Sequence, residues 1–476
     1  MEKTKIIFGT DGWRGLLGDE LNNVNIQRVA QAFALYIKEN GTQNRVAIGF
    51  DGRKFSKEFA HIFAEVLSGN KIEVLVSDRI LPTPVVSYIC LTRKCDAGVM
   101  ITASHNPPQY NGIKFKSSDG SPFFTEQTAI IESFIDRNEA VKSTEKIAEI
   151  DFTKDYISHI EKLIDFETIM NAGLNVVIDS MAGAGGLMLE NLLKKHNIKV
   201  QTIFGEPETD FCGRLAEPVA ANLQPLSDFL KGGNFSLGLA TDGDADRLGV
   251  MTDMGEFMNI QETILYLAQY IKLQRNVDGP LVKTASVTDK VLSFSKSTSV
   301  EVIDVQVGFK YVAEAMMESG AAFGAEESGG FGFKGHLPER DGIFSALIFL
   351  EMLSASGFNS LDAFIRNKRL ELGEIFYSRI DSINDNPKRH NVLAALTANP
   401  PNTLSGFNVT EVKTYLNSRG LINGQKILLE GNPRWLLIRV SETEPMVRIY
   451  AEAENDSEVK TLLESGYELF NAYLQK

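Results

Sequence analysis

The sequence predicts an α/β protein of several domains: three similar mixed α/β domains in tandem, followed by a smaller α+β domain. Three observations carry that expectation. A phrase of strand, polar loop, helix and strand occurs three times, starting at Arg45, Leu174 and Pro280, and parallel strands joined by helical crossovers produce such a phrase. The length of 476 residues suits three or four domains at roughly 100–200 residues each. The C-terminal part differs in kind, with two apolar strands around a loop and then a closing helix.

The elements follow in order. Arg45 to Asp51 is an apolar run that ends in a polar loop. Ser56 to Leu67 places Phe59, Ile62, Phe63 and Val66 on one helical face, the pattern of an amphipathic helix. Lys71 to Val76 is the returning strand. The second phrase is strand Leu174–Asp179, a tight Gly183–Gly186 loop, helix Leu187–Lys195 and strand Ile198–Phe204. The third is fainter: Pro280–Thr284, Ser286–Phe294 and Val300–Val305, preceded by a helical pattern over Glu262–Lys272. Trp435–Ser441 and the run from Met446 read as strands, and Asp456–Lys476 as a helix. Polar or changing stretches at Asn138–Lys154, after Asp253 and over Leu370–Asn386 put domains at 1–150, 151–256, 257–371 and 372–476.

Hydrophobic content of 43% and charged content of 23% are those of a soluble globular chain. The N-terminal residues form no signal-peptide pattern, and the longest largely apolar run, Ile343–Leu350, is far short of a membrane span. The expected location is the cytoplasm. Cys90, Cys95 and Cys212 have no metal-ligand spacing and read as reduced thiols. A net charge of −14 argues against nucleic acid or an anionic membrane as partner. Anionic small substrates stay open, because Lys and Arg recur inside the polar loops.

Five loops carry chemistry. Gly98–Ile101 is a buried-strand pattern that breaks into Thr-Ala-Ser104-His105-Asn-Pro-Pro, with Lys114 beyond. A hydroxyl, an imidazole and an amine crowded on one loop can attack, carry a phosphoryl group or move protons. The bland alternative is a turn, since Ser, Asn and Pro all favour turns. In Thr241–Arg247, Asp242, Asp244 and Asp246 alternate. In an extended segment their carboxylates point one way and need a cation among them. Oxygen ligands select Mg²⁺ or Ca²⁺. An EF-hand fails here: Arg247 stands where that loop needs Gly, and the flanks read as strands. Gly324–Gly330 offers Glu326 and Ser328 to sugar hydroxyls, with His336 and Arg340-Asp-Gly nearby. Arg439–Arg448 offers arginines and hydroxyls suited to a phosphate dianion. Phe8–Gly15 is a Gly-rich opening whose Arg14 can add to a phosphate site.

Together these loops resemble those of the α-D-phosphohexomutases. The matching stretches are Thr102-Ala-Ser-His-Asn-Pro107, Asp242-Gly-Asp-Ala-Asp-Arg247, Glu326-Glu-Ser-Gly329, Arg439-Val-Ser-Glu-Thr-Glu-Pro445 and the Phe8–Gly15 opening, so the resemblance runs the length of the chain. It implies four domains around a central cleft, one loop from each. It implies Ser104 as phosphoserine carrier, with Asp242, Asp244, Asp246 and the serine phosphate holding one Mg²⁺. It implies Lys114 as general acid/base with His105 and Arg14 assisting, and Arg247 and Lys283 lining the cleft. It further implies that Glu326 and Ser328 bind the sugar, and that Arg439, Ser441, Thr443 and Arg448 clamp the non-reacting phosphate. The expected substrate is a hexose phosphate and the intermediate glucose 1,6-bisphosphate, in a monomer or homodimer.

The departures bear on specificity. Glu442 stands where the family usually has Gly or Asn, and Gly330 where several relatives have His. Phe309 replaces the His of dual glucose/mannose members, and Glu326-Glu-Ser resembles the loop of glucose-preferring ones. The resemblance therefore points to phosphoglucomutase, ahead of phosphomannomutase and phosphoglucosamine mutase. A non-catalytic sugar-phosphate binder would have lost Ser104, Lys114 or the aspartates. A phosphatase would not need a second phosphate clamp.

Overall fold

The computed structural model describes residues 4–9, 11–417, 419–441 and 445–475. Among them no helix is long and apolar enough to cross a membrane. The chain forms two compact units, one of Met1–Met258 with Ser328–Asn367 and one of Asn259–Glu327 with Lys368–Lys476.

In the first unit, β1 (Trp13–Leu16), β2 (Arg45–Phe50), β3 (Glu73–Ser77), β4 (Ala97–Ile101), β5 (Tyr110–Ser117) and β6 (Glu149–Ile150) form a six-stranded sheet in the order β1-β5-β4-β2-β3-β6. β2, β3, β4 and β6 run parallel, β5 runs antiparallel to β4, and β1 pairs antiparallel with β5. β4 is buried along its whole length, as expected for a central strand covered on both faces. An aromatic cluster fills one face: Phe33 lies parallel to Phe115 at 4.6 Å and meets Phe63 edge-on at 5.6 Å. The register pairs Phe50 with Ile101, so Asp51 and Thr102 leave the sheet side by side. It also pairs Lys114 with Met100. Lys114 therefore stands on β5 and not in the serine loop, where its crowding with Ser104 and His105 was expected. The Asn-Gly pair before it continues the strand instead of ending the turn.

A second sheet of the same unit contains β7 (Asn175–Asp179), β8 (Lys199–Ile203), β9 (Leu237–Thr241) and β10 (Leu248–Thr252), ordered β10-β9-β7-β8. β9 and β10 are antiparallel and entirely buried, and the aspartate loop connects them.

In the second unit, β11 (Leu281–Thr284), β12 (Val302–Val305) and β13 (Phe323–Glu326) pair in parallel in the order β12-β11-β13. The helix expected from Ser286 begins at Lys290. The preceding hydroxyls are engaged by distant side chains: Ser286 Oγ donates to Glu327 at 2.5 Å and Thr288 Oγ1 to Glu452, so tertiary contacts hold this stretch outside the helix. The chain then returns to the first unit through β14 (Gly330–Phe333) and the buried helix Gly342–Ala355.

The C-terminal sheet is larger than the sequence predicted. It holds β15 (Phe376–Ile383), β16 (Thr403–Leu404), β17 (Phe407–Leu416), β18 (Ile422–Leu429), β19 (Trp435–Val440) and β20 (Met446–Ala453), ordered β15-β20-β19-β18-β17-β16 and antiparallel throughout. Helices Arg389–Ala398 and Asp456–Leu474 bury one face. On the other lie Tyr415, Trp435 and Tyr450, with the Trp435 indole donating to Glu452 at 2.6 Å.

Candidate active site

The serine loop leaves the buried end of β4. Thr102 Oγ1 accepts from the Ser104 amide at 2.8 Å, and Ser104 takes a left-handed φ of 53°. Its Oγ is fully buried and donates to Asp242 Oδ2 at 3.0 Å. His105 Nδ1 lies 3.4 Å from the same Oγ. Arg14 donates to Asn106 Oδ1 at 2.6 Å.

The three aspartates converge, but not as alternating residues of an extended segment. The loop is a turn in which Ala245 has φ 57°. Asp242 Oδ1 closes it by accepting from the amides of Asp246 at 2.9 Å and Arg247 at 3.1 Å. The three carboxylates are fully buried and each brings an oxygen within 4.8 Å of the others. Asp244 Oδ1 and Asp246 Oδ1 are buried and accept no hydrogen bond among the described residues. Three buried carboxylates with two unsatisfied oxygens fit a hard divalent cation. No other such group occurs among the described residues.

Cations surround the triad. Lys114 Nζ donates to Asp244 at 2.8 Å and Asp246 at 2.9 Å, and pairs with Asp11 at 3.0 Å. Arg340 Nη2 donates to Asp246 at 2.9 Å and Asp11 at 2.8 Å. Thr83 Oγ1 donates to Asp244 Oδ2 at 2.6 Å. The Arg247 guanidinium lies 3.9 Å from both Asp242 and Asp246.

The electrostatics follow. Burial, then the charges of Asp246 and Asp244, push Asp242 well above the usual carboxylate range. Burial would raise Asp244 too, but Lys114 and the hydroxyls of Thr83 and Ser104 hold it far below that range. Burial opposes the Lys114 ammonium, yet Asp11, Asp244 and Asp246 outweigh it and keep the amine charged. Burial, then the charges of Arg247 and Arg14, press His105 well below the usual imidazole value, so it is neutral at neutral pH.

The remaining sequence-selected residues fall elsewhere. Ser328, in the first unit, precedes Gly329, whose carbonyl accepts from the Leu248 amide at 2.9 Å, next to Arg247. In the second unit, Lys283 is buried and its ammonium donates to Asp289 at 3.0 Å and the Val287 carbonyl at 3.1 Å. Lys426 shares Asp289 at 2.8 Å. Glu326 ends β13 and is buried, while the adjacent Glu327 is anchored on Ser286. Arg439 and Arg448 stand directly opposite each other on β19 and β20, with Asp381 beside Arg448 on β15. The Ser441 amide donates to the Met446 carbonyl at 2.9 Å. Thr443 and Glu442 lie outside the described residues.

Sequence reasoning assigned no role to four residues that meet at the serine and aspartate loops: Asp11, Arg53, Thr83 and Arg340. Arg53 donates to four carbonyls of the serine loop. Its signal was present, since Asp51-Gly-Arg53 follows a parallel strand at the edge where α/β sheets place their ligands.

The chain matches models described as phosphoglucomutase/phosphomannomutase alpha/beta/alpha domain I over residues 5–142, domain II over 154–255, domain III over 260–369 and the C-terminal domain over 385–468. It is 29% identical over 475 residues to a "Phosphoglucomutase/phosphomannomutase" of Thermococcus kodakarensis, covering 98% of this chain and 99% of the relative. It is 30% identical over 478 residues to a "Probable phosphoglucosamine mutase" of Methanosphaera stadtmanae, covering 99% of each. Its fold matches the crystal structure of a Thermus thermophilus protein assigned as a phosphomannomutase, with a TM-score of 0.85, 31% identity and coverage of 99% and 100% of the two chains. Fold and matches together define an isomerase that acts as an intramolecular phosphotransferase. The chain belongs to the α-D-phosphohexomutase family.

Proposed function

We propose that this phosphohexomutase is a phosphoglucomutase, interconverting α-D-glucose 1-phosphate and D-glucose 6-phosphate through phosphorylated Ser104 and glucose 1,6-bisphosphate. The observation that carries the reading is the convergence of Ser104 Oγ on Asp242 with Lys114 on Asp244 and Asp246. A bound Mg²⁺, held by Asp242, Asp244 and Asp246, would neutralise charge on the transferring phosphoryl group.

The chain's own groups do the rest. In the first half-reaction a sugar hydroxyl forms its bond to phosphorus as the bond to Ser104 Oγ breaks. The hydroxyl proton leaves, and Ser104 Oγ regains one. Lys114 donates to Asp244 and Asp246, in the carboxylate triad whose third member, Asp242, accepts from Ser104 Oγ, and its neighbours keep it charged, so it is the proposed donor to that oxygen. Neutral His105, beside the same oxygen, can accept a proton. Arg14 and Arg247 supply positive charge. In the second half-reaction the bisphosphate, turned over, returns its other phosphoryl group to Ser104. Arg439, Arg448, Ser441 and Thr443 hold the phosphate that is not reacting, and both orientations need that hold. Like charges placed directly opposite on a sheet repel unless an anion lies between them, and the buried Arg439 Nε makes no hydrogen bond among the described residues.

Glu326 and Ser328 are the proposed sugar ligands, and buried Lys283 supports the site from within its ion-pair network. Phe309 supports glucose over dual specificity, because it is packed with Val282 and Val312 in an apolar cluster and has no imidazole to offer. Four domains bounded near 150, 256 and 371, a cytoplasmic location and a monomer or homodimer complete the proposal.

A second reading, phosphoglucosamine mutase, is favoured by the Methanosphaera relative. The test is a coupled assay with Mg²⁺ and a trace of glucose 1,6-bisphosphate, comparing kcat/KM for glucose 1-phosphate, mannose 1-phosphate and glucosamine 1-phosphate. A clear lead for glucose 1-phosphate is expected. A lead for either other sugar overturns the glucose assignment.

A further inference from the structure

We propose that Arg53 is a positioning residue for phosphoryl transfer, holding the Ser104 loop in its left-handed turn against the aspartate loop; this rests on Ser104 being the carrier. The turn needs such support. A serine at φ 53° is held in a left-handed conformation that a residue with a Cβ rarely adopts. The backbone around it also turns the carbonyls of Ser104, Asn106, Pro107 and Tyr110 toward a single side chain.

One guanidinium meets them all. Arg53 Nη2 donates to the Ser104 and Asn106 carbonyls, each at 2.6 Å, and Nη1 to those of Pro107 and Tyr110, each at 3.0 Å. Nε faces Asp51 Oδ2 at 3.2 Å. Four donors of the planar fork are thereby engaged, which a lysine with one nitrogen cannot reproduce. The fork is itself fixed. Asp51 accepts from Ser56 Oγ at 2.7 Å and from the Arg53 amide at 3.0 Å, and the Phe211 ring lies 4.7 Å from the guanidinium carbon. The side chain of Arg53 is fully buried.

The link to chemistry is the Ser104 carbonyl. Its other side abuts Gly243, where an added Cβ would fall 2.4 Å from that oxygen. The carbonyl is thus wedged between the Arg53 fork and the backbone of the aspartate loop. Among the described residues, Arg53 makes no hydrogen bond to an aspartate of that loop or to Ser104 Oγ. Its effect on transfer is exerted through where the serine stands.

The experiment uses the whole chain. Wild type, Arg53→Gln and Arg53→Lys are charged with glucose 1,6-bisphosphate, phosphate on Ser104 is read by mass spectrometry, and its transfer to glucose 1-phosphate is followed in a single turnover by rapid quench. Mg²⁺ affinity is measured by calorimetry, and KM for glucose 1-phosphate in the steady state. Misplacing a reacting group by about 1 Å can cost about 100-fold in rate, so the expected result for Arg53→Gln is a loss of that order, with KM and Mg²⁺ affinity near wild type. Arg53→Lys should recover part of the rate. Transfer at the wild-type rate in Arg53→Gln, or a loss matched by equal losses in KM and Mg²⁺ affinity, overturns the proposal. If Arg53→Gln does not fold, Arg53→Lys decides by the same criteria. A wild type that takes no phosphoryl group on Ser104 overturns the carrier reading instead, a result distinct from normal charging with unimpaired variants.

Discussion

The serine–aspartate region of the first unit and the arginine pair of the second solve opposite problems. Around Asp242, Asp244 and Asp246, charge is dense, fully buried and already balanced by Lys114, Arg247 and Arg340. On β19 and β20, two arginines face each other with Asp381 alongside. Under the proposed function the first region keeps reacting groups where they are, and the second receives the phosphate that is not reacting. Chemistry requires preorganisation at the reacting atom, whereas a phosphate handle requires only affinity, and affinity tolerates half-exposed side chains.

Four experiments sharpen or break that contrast. Ser104→Ala is expected to lower kcat by roughly 10⁴-fold or more, the scale of removing a nucleophile, with an unchanged circular dichroism spectrum. Measurable turnover near wild type would end the description of this region as the reacting one. Asp244→Asn should weaken Mg²⁺ binding by more than about 100-fold, since it removes an oxygen ligand where even supporting groups are worth 10–100-fold. Isothermal calorimetry reads this, and unaltered affinity would remove Asp244 from the cation site. Arg448→Ala should raise KM for glucose 1-phosphate by about 10-fold or more, the worth of a charged hydrogen bond, and change kcat much less. Steady-state kinetics that instead show a fall in kcat alone would erase the distinction between handle and reacting centre.

The smallest effect concerns stability. Burial, then the neighbouring charge of Lys283, pulls Lys426 down to about 8 from the ordinary lysine value. Between that pH and the ordinary value the unfolded chain binds more protons at this group than the folded one, so its contribution to stability rises with pH. Lys283 is shifted upward, and its loss falls above the same window. Chemical denaturation from pH 8 to pH 10 should therefore show wild type gaining on the order of 2 kcal/mol relative to Lys426→Met. Equal pH dependence in both would mean that the buried lysine pair of the second unit titrates normally.

The loops were legible because their residues are neighbours in the chain. Ser104-His105, the three aspartates and Arg439 with Arg448 each lie within one short stretch, so their residue types could be read as a group. The strand–helix–strand phrases were legible because each opens on a largely buried strand, β2, β7 or β11. Asp11, Thr83 and Arg340 were not, since each acts on a partner far away in sequence, as Thr83 does on Asp244 or Arg340 on Asp11; Arg53 carried a signal in Asp51-Gly-Arg53, but its partners on the serine loop are equally distant. The C-terminal sheet was half seen for another reason. β15 and β17 alternate exposed and partly buried residues, so their hydrophobic signal is diluted, whereas β19 and β20 are nearly all buried. The aspartates show a further limit. They do come together, through the left-handed turn at Ala245, a conformation that residue type does not announce.

At Gly342 the helix Gly342–Ala355 begins hard against the aspartate loop. Its amide donates to the Ala245 carbonyl at 3.1 Å, and an added Cβ would meet the Arg247 carbonyl at 2.5 Å. Two segments roughly a hundred residues apart in the chain are therefore locked into one unit of inheritance. An insertion beside Ala245 cannot be absorbed by that loop alone, because the helix start blocks the space it would need. Drift in either segment has to be answered in the other, and a recombination breakpoint between them would join halves that no longer fit.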